Sequence, residues 1–189
     1  MVAAPQKRAD ARRNEKSLLD AAAEAFVAAG VDVPVREIAA RAGVGVGTIY
    51  RHFPTRADLI VAVYQHQVEA CVEAGPALLA RSGTPYAALA SWINLFVDFL
   101  VTKHGLAKAM QSGDTAYQTL HGSFIDRLVP VCAQLLDEAA AAGQVRADLD
   151  AFELMFAVGN LCAGDDYGDS RYNARRMVEL LVAGLRVSG

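Results

Sequence analysis

The chain has 189 residues, 53% of them apolar and only 7% aromatic, with alanine recurring in runs. That composition excludes a disordered chain and suits one domain, or two small ones, of closely packed helices. The net charge of −3 excludes a basic surface overall, but residues 1–60 carry nine Lys/Arg against seven acids and the remainder nine against fourteen. A basic front on an acidic body fits a front that faces nucleic acid.

The opening "MVAAPQKRADARRNEK" has charges and no apolar segment, so it reads as a flexible basic arm over residues 1–11 and not as a secretory signal. Leu18, Leu19, Ala22, Ala23 and Phe26 mark a first helix that Gly30 stops. Pro34 stands where a first helical turn tolerates it, and Ile38, Ala39 and Ala42 give a short second helix, broken by Gly43. Val44, Ile49 and Phe53 form the inward face of a third, ended by Pro54. Thr55, with Asp58 three residues on, has the form of a capping box, and Leu59, Val63, Gln67 and Cys71 run along a fourth helix that Gly75-Pro76 should end or kink.

Thr84 and Pro85 start a fifth helix with Leu89, Trp92, Ile93, Phe96, Phe99 and Leu100 on its apolar side. Its greasiest part, "SWINLFVDFLV", contains Asn94 and Asp98 and is too short and too polar to span a bilayer, so no membrane partner is expected. A short helix is expected near Leu106–Met110. A long one through Leu120, Phe124, Leu128, Val131 and Leu135 should be kinked at Pro130 and closed by Gly143. Asp150 with Glu153 caps "AFELMFAVGNLCAG", and a last helix carries Met177, Val178, Leu181 and Leu185. The prediction is all-α, about nine helices, with no convincing strand alternation.

The stretch "RAGVGVGTIYRHF", Arg41–Phe53, decides the function class. A dinucleotide fingerprint needs G-x-G-x-x-G, a strand before it and a helix after it. Here the spacing is G-x-G-x-G and the preceding "VREIAARA" is helical, so no phosphate crevice can form. A helix-turn-helix needs a small residue at the helix contact, Ala39, and a turn residue free to take positive φ, Gly43. With Ile49 and Phe53 facing in, Gly47 and Arg51 face out, flanked by Thr48 and Tyr50. Gly47 lets backbone approach a groove, and Arg51 reaches a base edge or a phosphate. Thr48, Tyr50 and His52 are phosphate donors, Val46 a partner for a thymine methyl, Arg36 for a guanine. Arg56, at a helix N-terminus, adds a phosphate site. The bland alternatives are solvated arginines at 36 and 56, Tyr50 as a lid on the small core, and His52 as a surface histidine.

From Arg12 to about Cys71 the chain resembles the TetR family of one-component bacterial regulators. The residues that carry it are "LLDAAAEAFVAAG", "VREIAARAGVGVGTIYRHF" and "TRADLIVAVY". Val33-Pro34 departs from the family's usual threonine cap on the second helix. The glycines at 45 and 47 leave few side chains for reading bases, which throws weight on Arg36, Arg51 and DNA shape. The resemblance implies a DNA-binding domain over 12–71, with the helix-turn-helix at about 34–53, and an effector-binding and dimerisation domain over 72–189. It also implies a ligand-responsive regulator, most simply a repressor released from a double-stranded, near-palindromic operator in the bacterial cytoplasm, with the fourth helix as the mechanical link.

In the second part, "LMFAVGNLCA" is apolar on nearly every side and must be covered on more than one face. Leu154, Met155 and Val158 with Met177, Leu181 and Leu185 are expected at a four-helix interface of a homodimer. Trp92, Phe96, Phe99, Tyr117, His121 and Phe124 are candidates to line one effector cavity, with Met110 and Asn160 closing its ends. Plain core packing is the alternative for each. The mixture fits a small amphipathic or aromatic effector. Cys71, Cys132 and Cys162 lack zinc spacing and read as buried thiols, and "GDDYGDS" does not meet the calcium-loop spacing. No cofactor or metal is expected. The rival is a small all-α enzyme using the aromatic cavity, but no G-x-S-x-G or H-E-x-x-H occurs and the four histidines have no ligand-like spacing. An adaptor that binds only protein is a third reading.

Overall fold

The computed structural model describes the backbone of residues 4–109, 115–163 and 172–187, and the side chains of residues 14–104, 123–163 and 172–187. Among the described residues eight helices follow in order: α1 Ala4–Ala29, α2 Val35–Ala42, α3 Val46–His52, α4 Arg56–Arg81, α5 Pro85–Ala109, α6 Thr115–Ala141, α7 Ala151–Ala163 and α8 Ala174–Gly184. Among the described residues there is no strand, only an isolated antiparallel bridge between Val145 and Arg186. The short separate helix expected near Leu106–Met110 is, as far as Ala109, the end of α5, because a lone glycine at 105 costs a helix only about 1 kcal/mol and does not stop it. Residues expected as a flexible arm are helical from Ala4 onward. Pro5 falls in the first turn, where its missing N–H is no loss.

The chain divides into two compact units. The first holds the residues up to Gln67 with those from Val101 to the end of α5; the second holds Val68–Leu100 with the later helices. One division falls within α4 and another within α5, whose last residues the sequence reading had assigned to the second domain.

In the first unit α2 packs on α1 and α3 on α2. Leu18, Ala22, Ala25 and Phe26 of α1 are buried with Ile38 and Ala39 of α2, Ile49 of α3, and Leu59, Ile60 and Val63 of α4. The periods read from the sequence therefore face inward as expected. Gly30 follows α1 with φ +77°, and its N–H donates to Phe26 O at 2.8 Å. Thr55 and Asp58 form the expected reciprocal cap of α4: Thr55 N–H donates to Asp58 Oδ2 at 2.9 Å and Asp58 N–H to Thr55 Oγ1 at 3.1 Å.

In the second unit α4 continues through Gly75-Pro76 instead of ending there. Gly75 is where Val131 of α6 comes close, and a Cβ at that position would meet Val131 Cγ1 at 2.3 Å. Packing at this crossing offsets the bond that Pro76 removes. Pro130 likewise lies inside α6. Thr84 caps α5 by accepting Ala87 N–H at 3.1 Å, and Gln144 Oε1 takes Tyr86 N–H at 2.8 Å. Asp150 Oδ1 accepts Glu153 N–H at 2.9 Å at the start of α7, as the cap signature requires. By length and composition Pro85–His104 could cross a membrane, contrary to the reading of its core segment as too short and too polar. Its apolar residues, however, are the core of this unit: Leu89, Trp92 and Phe99 have no exposed surface.

Candidate nucleic-acid interface and effector site

Between α2 and α3 the backbone must reverse within three residues. Gly43 takes φ 66°, the left-handed conformation that a Cβ disfavours. Its N–H donates to Ala40 O at 3.3 Å and Val44 N–H to Ala39 O at 3.0 Å, the paired bonds that close a helix on a glycine. Gly45 then enters α3 extended and offers no side-chain cap. Ala39, the small residue expected at the helix contact, is 3% exposed.

α3 is seven residues long, and its buried member, Ile49, is 1% exposed, with Phe53 beyond its end at 7%. One turn inward fixes the other face outward. Gly47, Arg51 and His52 are exposed, Thr48 is half-buried, and Val46 and Tyr50 are 39% and 50% exposed. His52 leans on Phe53, ring centroids 6.0 Å apart. A Cβ placed on Gly47 would meet nothing within 4 Å, so no neighbour in the chain requires a glycine there. Arg36 is exposed on α2.

Arg56 departs from this face. Its Nη2 donates to Val31 O and, at 2.6 Å, to Val33 O, in the loop before α2. Its Nε is buried without a hydrogen-bond partner. The sequence placed this guanidinium on a phosphate because it begins a helix. The structure turns it back onto carbonyls more than twenty residues earlier.

Of the expected effector residues, four come together. Trp92 stacks on Phe96 at 5.8 Å, Phe96 on Phe99 at 6.0 Å, and Phe99 tilts against Phe124 at 5.6 Å. The Trp92 indole N–H donates to Cys71 O at 2.8 Å, so the ring's one polar atom is satisfied by the protein itself. Met110 and the side chains of Tyr117 and His121 lie outside the described residues, as does the "GDDYGDS" loop. Asn160 is exposed on α7, one turn from Phe156. A cleft of about 160 Å³ lies elsewhere, between α5 and α8, lined by Tyr86, Ala90, Ile93, Asn94, Val178, Glu179 and Val182. Burial pushes the Cys71 and Cys132 thiols up to about 12, with Asp98 and Asp150 respectively adding to the effect. Both stay protonated, in keeping with inert buried thiols.

The residues expected at an interface are covered to different degrees by the chain itself. Leu154, Met155, Val158 and Leu185 are buried within their own subunit, at 0–6% exposure, and Met177 and Leu181 are half-buried. The large side chains left outside are Phe152, Phe156 and Leu180, at 47%, 62% and 60%. Phe152 and Phe156 stack on one another, centroids 6.2 Å apart. A helix apolar on all sides does not reveal from its sequence which side its own core takes.

A helix-turn-helix with a bare, polar outer face belongs to a protein that binds DNA to control transcription, and the comparisons agree. Residues 84–187 match the family model described as the C-terminal domain of SbtR-like transcriptional regulators, and residues 18–63 that of bacterial regulatory proteins of the tetR family. The chain belongs to the TetR family of transcriptional regulators. It is 27% identical over 175 residues to the HTH-type transcriptional repressor KstR of Mycolicibacterium smegmatis, covering 92% of this chain and 76% of that one. Among solved structures it is similar to the TetR transcriptional regulator SCO0520 of Streptomyces coelicolor, 33% identical with a TM-score of 0.73 over 93% of this chain and 99% of the other. The TetR regulator of Mycobacterium vanbaalenii is 35% identical with a TM-score of 0.65, over 95% and 99%.

Proposed function

We propose that the chain is a dimeric repressor whose α3 enters the major groove of a near-palindromic operator and which a small effector releases. The observation that carries this reading is the outer face of α3. Behind a buried Ile49 it presents Gly47, Arg51 and His52 to solvent, with Thr48 and Tyr50 beside them. Arg51 reads a base edge or holds a phosphate; Thr48, Tyr50 and His52 donate to phosphates; Val46 meets a thymine methyl; Arg36 reaches in from α2. Gly47 leaves room for the backbone to approach, and DNA shape supplies what so few base-reading side chains cannot. The DNA-binding domain spans residues 12–71 and the effector and dimer domain 72–189.

Two copies meet through the exposed side of α7 and α8, where Phe152, Phe156 and Leu180 would otherwise stay in water. A two-fold dimer sets the two α3 helices one helical turn, ~34–36 Å, or a small multiple apart. The effector is small and amphipathic or aromatic, and its pocket adjoins the run Trp92–Phe96–Phe99–Phe124. Binding better to a conformer with the wrong spacing lowers DNA affinity by reciprocity. The repressor sense is supported by the printed name of the M. smegmatis relative. Such a protein works in the cytoplasm, where its DNA is, and the family is not an enzyme class.

Selection of duplexes from a random pool with the full chain tests the reading. A recovered site should have two-fold symmetry, and affinity should fall steeply between 50 and 200 mM salt as phosphate counterions are released. Recovery of no preferred duplex, or salt-insensitive binding, contradicts it.

A further inference from the structure

We propose that Arg56 is a positioning residue that fixes the pose of the helix-turn-helix through the loop before α2, and that it does not hold a phosphate. The inference rests on the operator reading above. A cation in the first turn of a helix is disfavoured by the helix dipole, so a partner must hold it there. The structure supplies two, since Nη2 of Arg56 donates to both Val31 O and Val33 O. Nε is out of solvent, so the guanidinium is turned at least in part into the protein, toward the loop before α2.

The loop it grips determines where α2 begins. Gly30 ends α1, Val33 N–H turns back to Gly30 O at 3.3 Å, and Val33 is 4% exposed. Pro34 then starts α2 without a side-chain cap, its carbonyl accepting Glu37 N–H at 2.9 Å. With no cap of its own, the start of α2 is fixed by this loop, and α3 packs on α2. Arg56 is also the first residue of α4, whose start is locked by the Thr55–Asp58 box. A second tie holds α4 to α1, where His66 Nε2 lies 2.6 Å from Asp20 Oδ1. α4 continues past Gln67 into the second unit, so Arg56 joins the helix that leaves the domain to the loop that sets α2.

The test uses the full chain, a duplex selected against the wild type, and sonicated genomic DNA as non-specific competitor. Arg56→Met should weaken binding to the selected duplex by about ten- to a hundredfold, the range carried by losing a charge-assisted bond to buried carbonyls. Non-specific affinity and the slope of log affinity against log salt should not change. Arg56→Lys keeps the charge but lacks the fork, and should recover little of the specific affinity. Loss on both DNAs with a shallower slope, about one counterion less per contact, rescued by lysine, would return Arg56 to a phosphate and overturn the proposal. A lowered Tm with the specific to non-specific ratio intact would overturn it too, leaving a merely structural residue. A wild type that selects no duplex overturns the operator reading and this inference together, whereas a variant that binds like wild type overturns this inference alone.

Discussion

α3 and α7 are both amphipathic only in part, and they resolve this in opposite ways. α3 buries one side chain, Ile49, and leaves a face of glycine, arginine, histidine and tyrosine in water. α7 buries Ala151, Leu154, Met155, Val158 and Cys162 and still leaves two stacked phenylalanines outside. A polar face behind a fixed turn is finished in water and waits for a charged partner. An aromatic face is not, because exposed apolar area of that kind costs roughly 25 cal/mol per Å² until something covers it. On the proposed reading, the first face binds and releases DNA and the second stays covered by a second copy.

The sharpest break in that comparison comes from the inside of α3. Ile49→Ala should destabilise the first unit by about 2–5 kcal/mol, visible as a low-temperature shoulder in calorimetry, and abolish operator binding with it. An unshifted melting curve would mean that Ile49 is not the anchor. Next, Phe156→Glu places a charge on the uncovered face of α7. It should weaken dimerisation by about 2 kcal/mol or more, read as a shift to monomer in sedimentation velocity at micromolar concentration. A variant still dimeric at that concentration would move the interface elsewhere. Gly47→Ala separates folding from binding by sign. Alanine in a helix interior is worth up to about 1 kcal/mol over glycine, and no atom of the chain stands in its way, so Tm should rise or hold. Operator affinity should nonetheless fall. Improved stability with unchanged affinity would remove Gly47 from the interface.

The first unit was legible because its apolar residues are sparse and set among polar ones. Ile38, Ile49 and Phe53 could face only one way, and Gly43 marked the turn. In α7 the phase was hidden, since Glu153 and Asn160 are the only polar side chains in thirteen residues. Leu154, Met155 and Val158, expected at an interface, are buried within the chain. Arg56 escaped for a different reason: its partners are the carbonyls of Val31 and Val33, and no residue type in a sequence records where a carbonyl points. Helix breakers misled in the same spirit, because Gly75-Pro76 reads as a stop, and only the close approach of Val131 explains why α4 continues. Local chemistry was readable, then, and long-range contacts were not.

The account turns on whether the solvent-facing side of α3 is the side that meets DNA. Arg51→Ala, measured against the selected duplex at several salt concentrations, tests this directly, because Arg51 is exposed and its loss should leave the unfolding free energy within about 0.5 kcal/mol of wild type. The predicted result is a loss of roughly tenfold or more in specific affinity, the cost of one good contact to a base edge or phosphate. Affinity equal to that of the wild type across the salt range would contradict it.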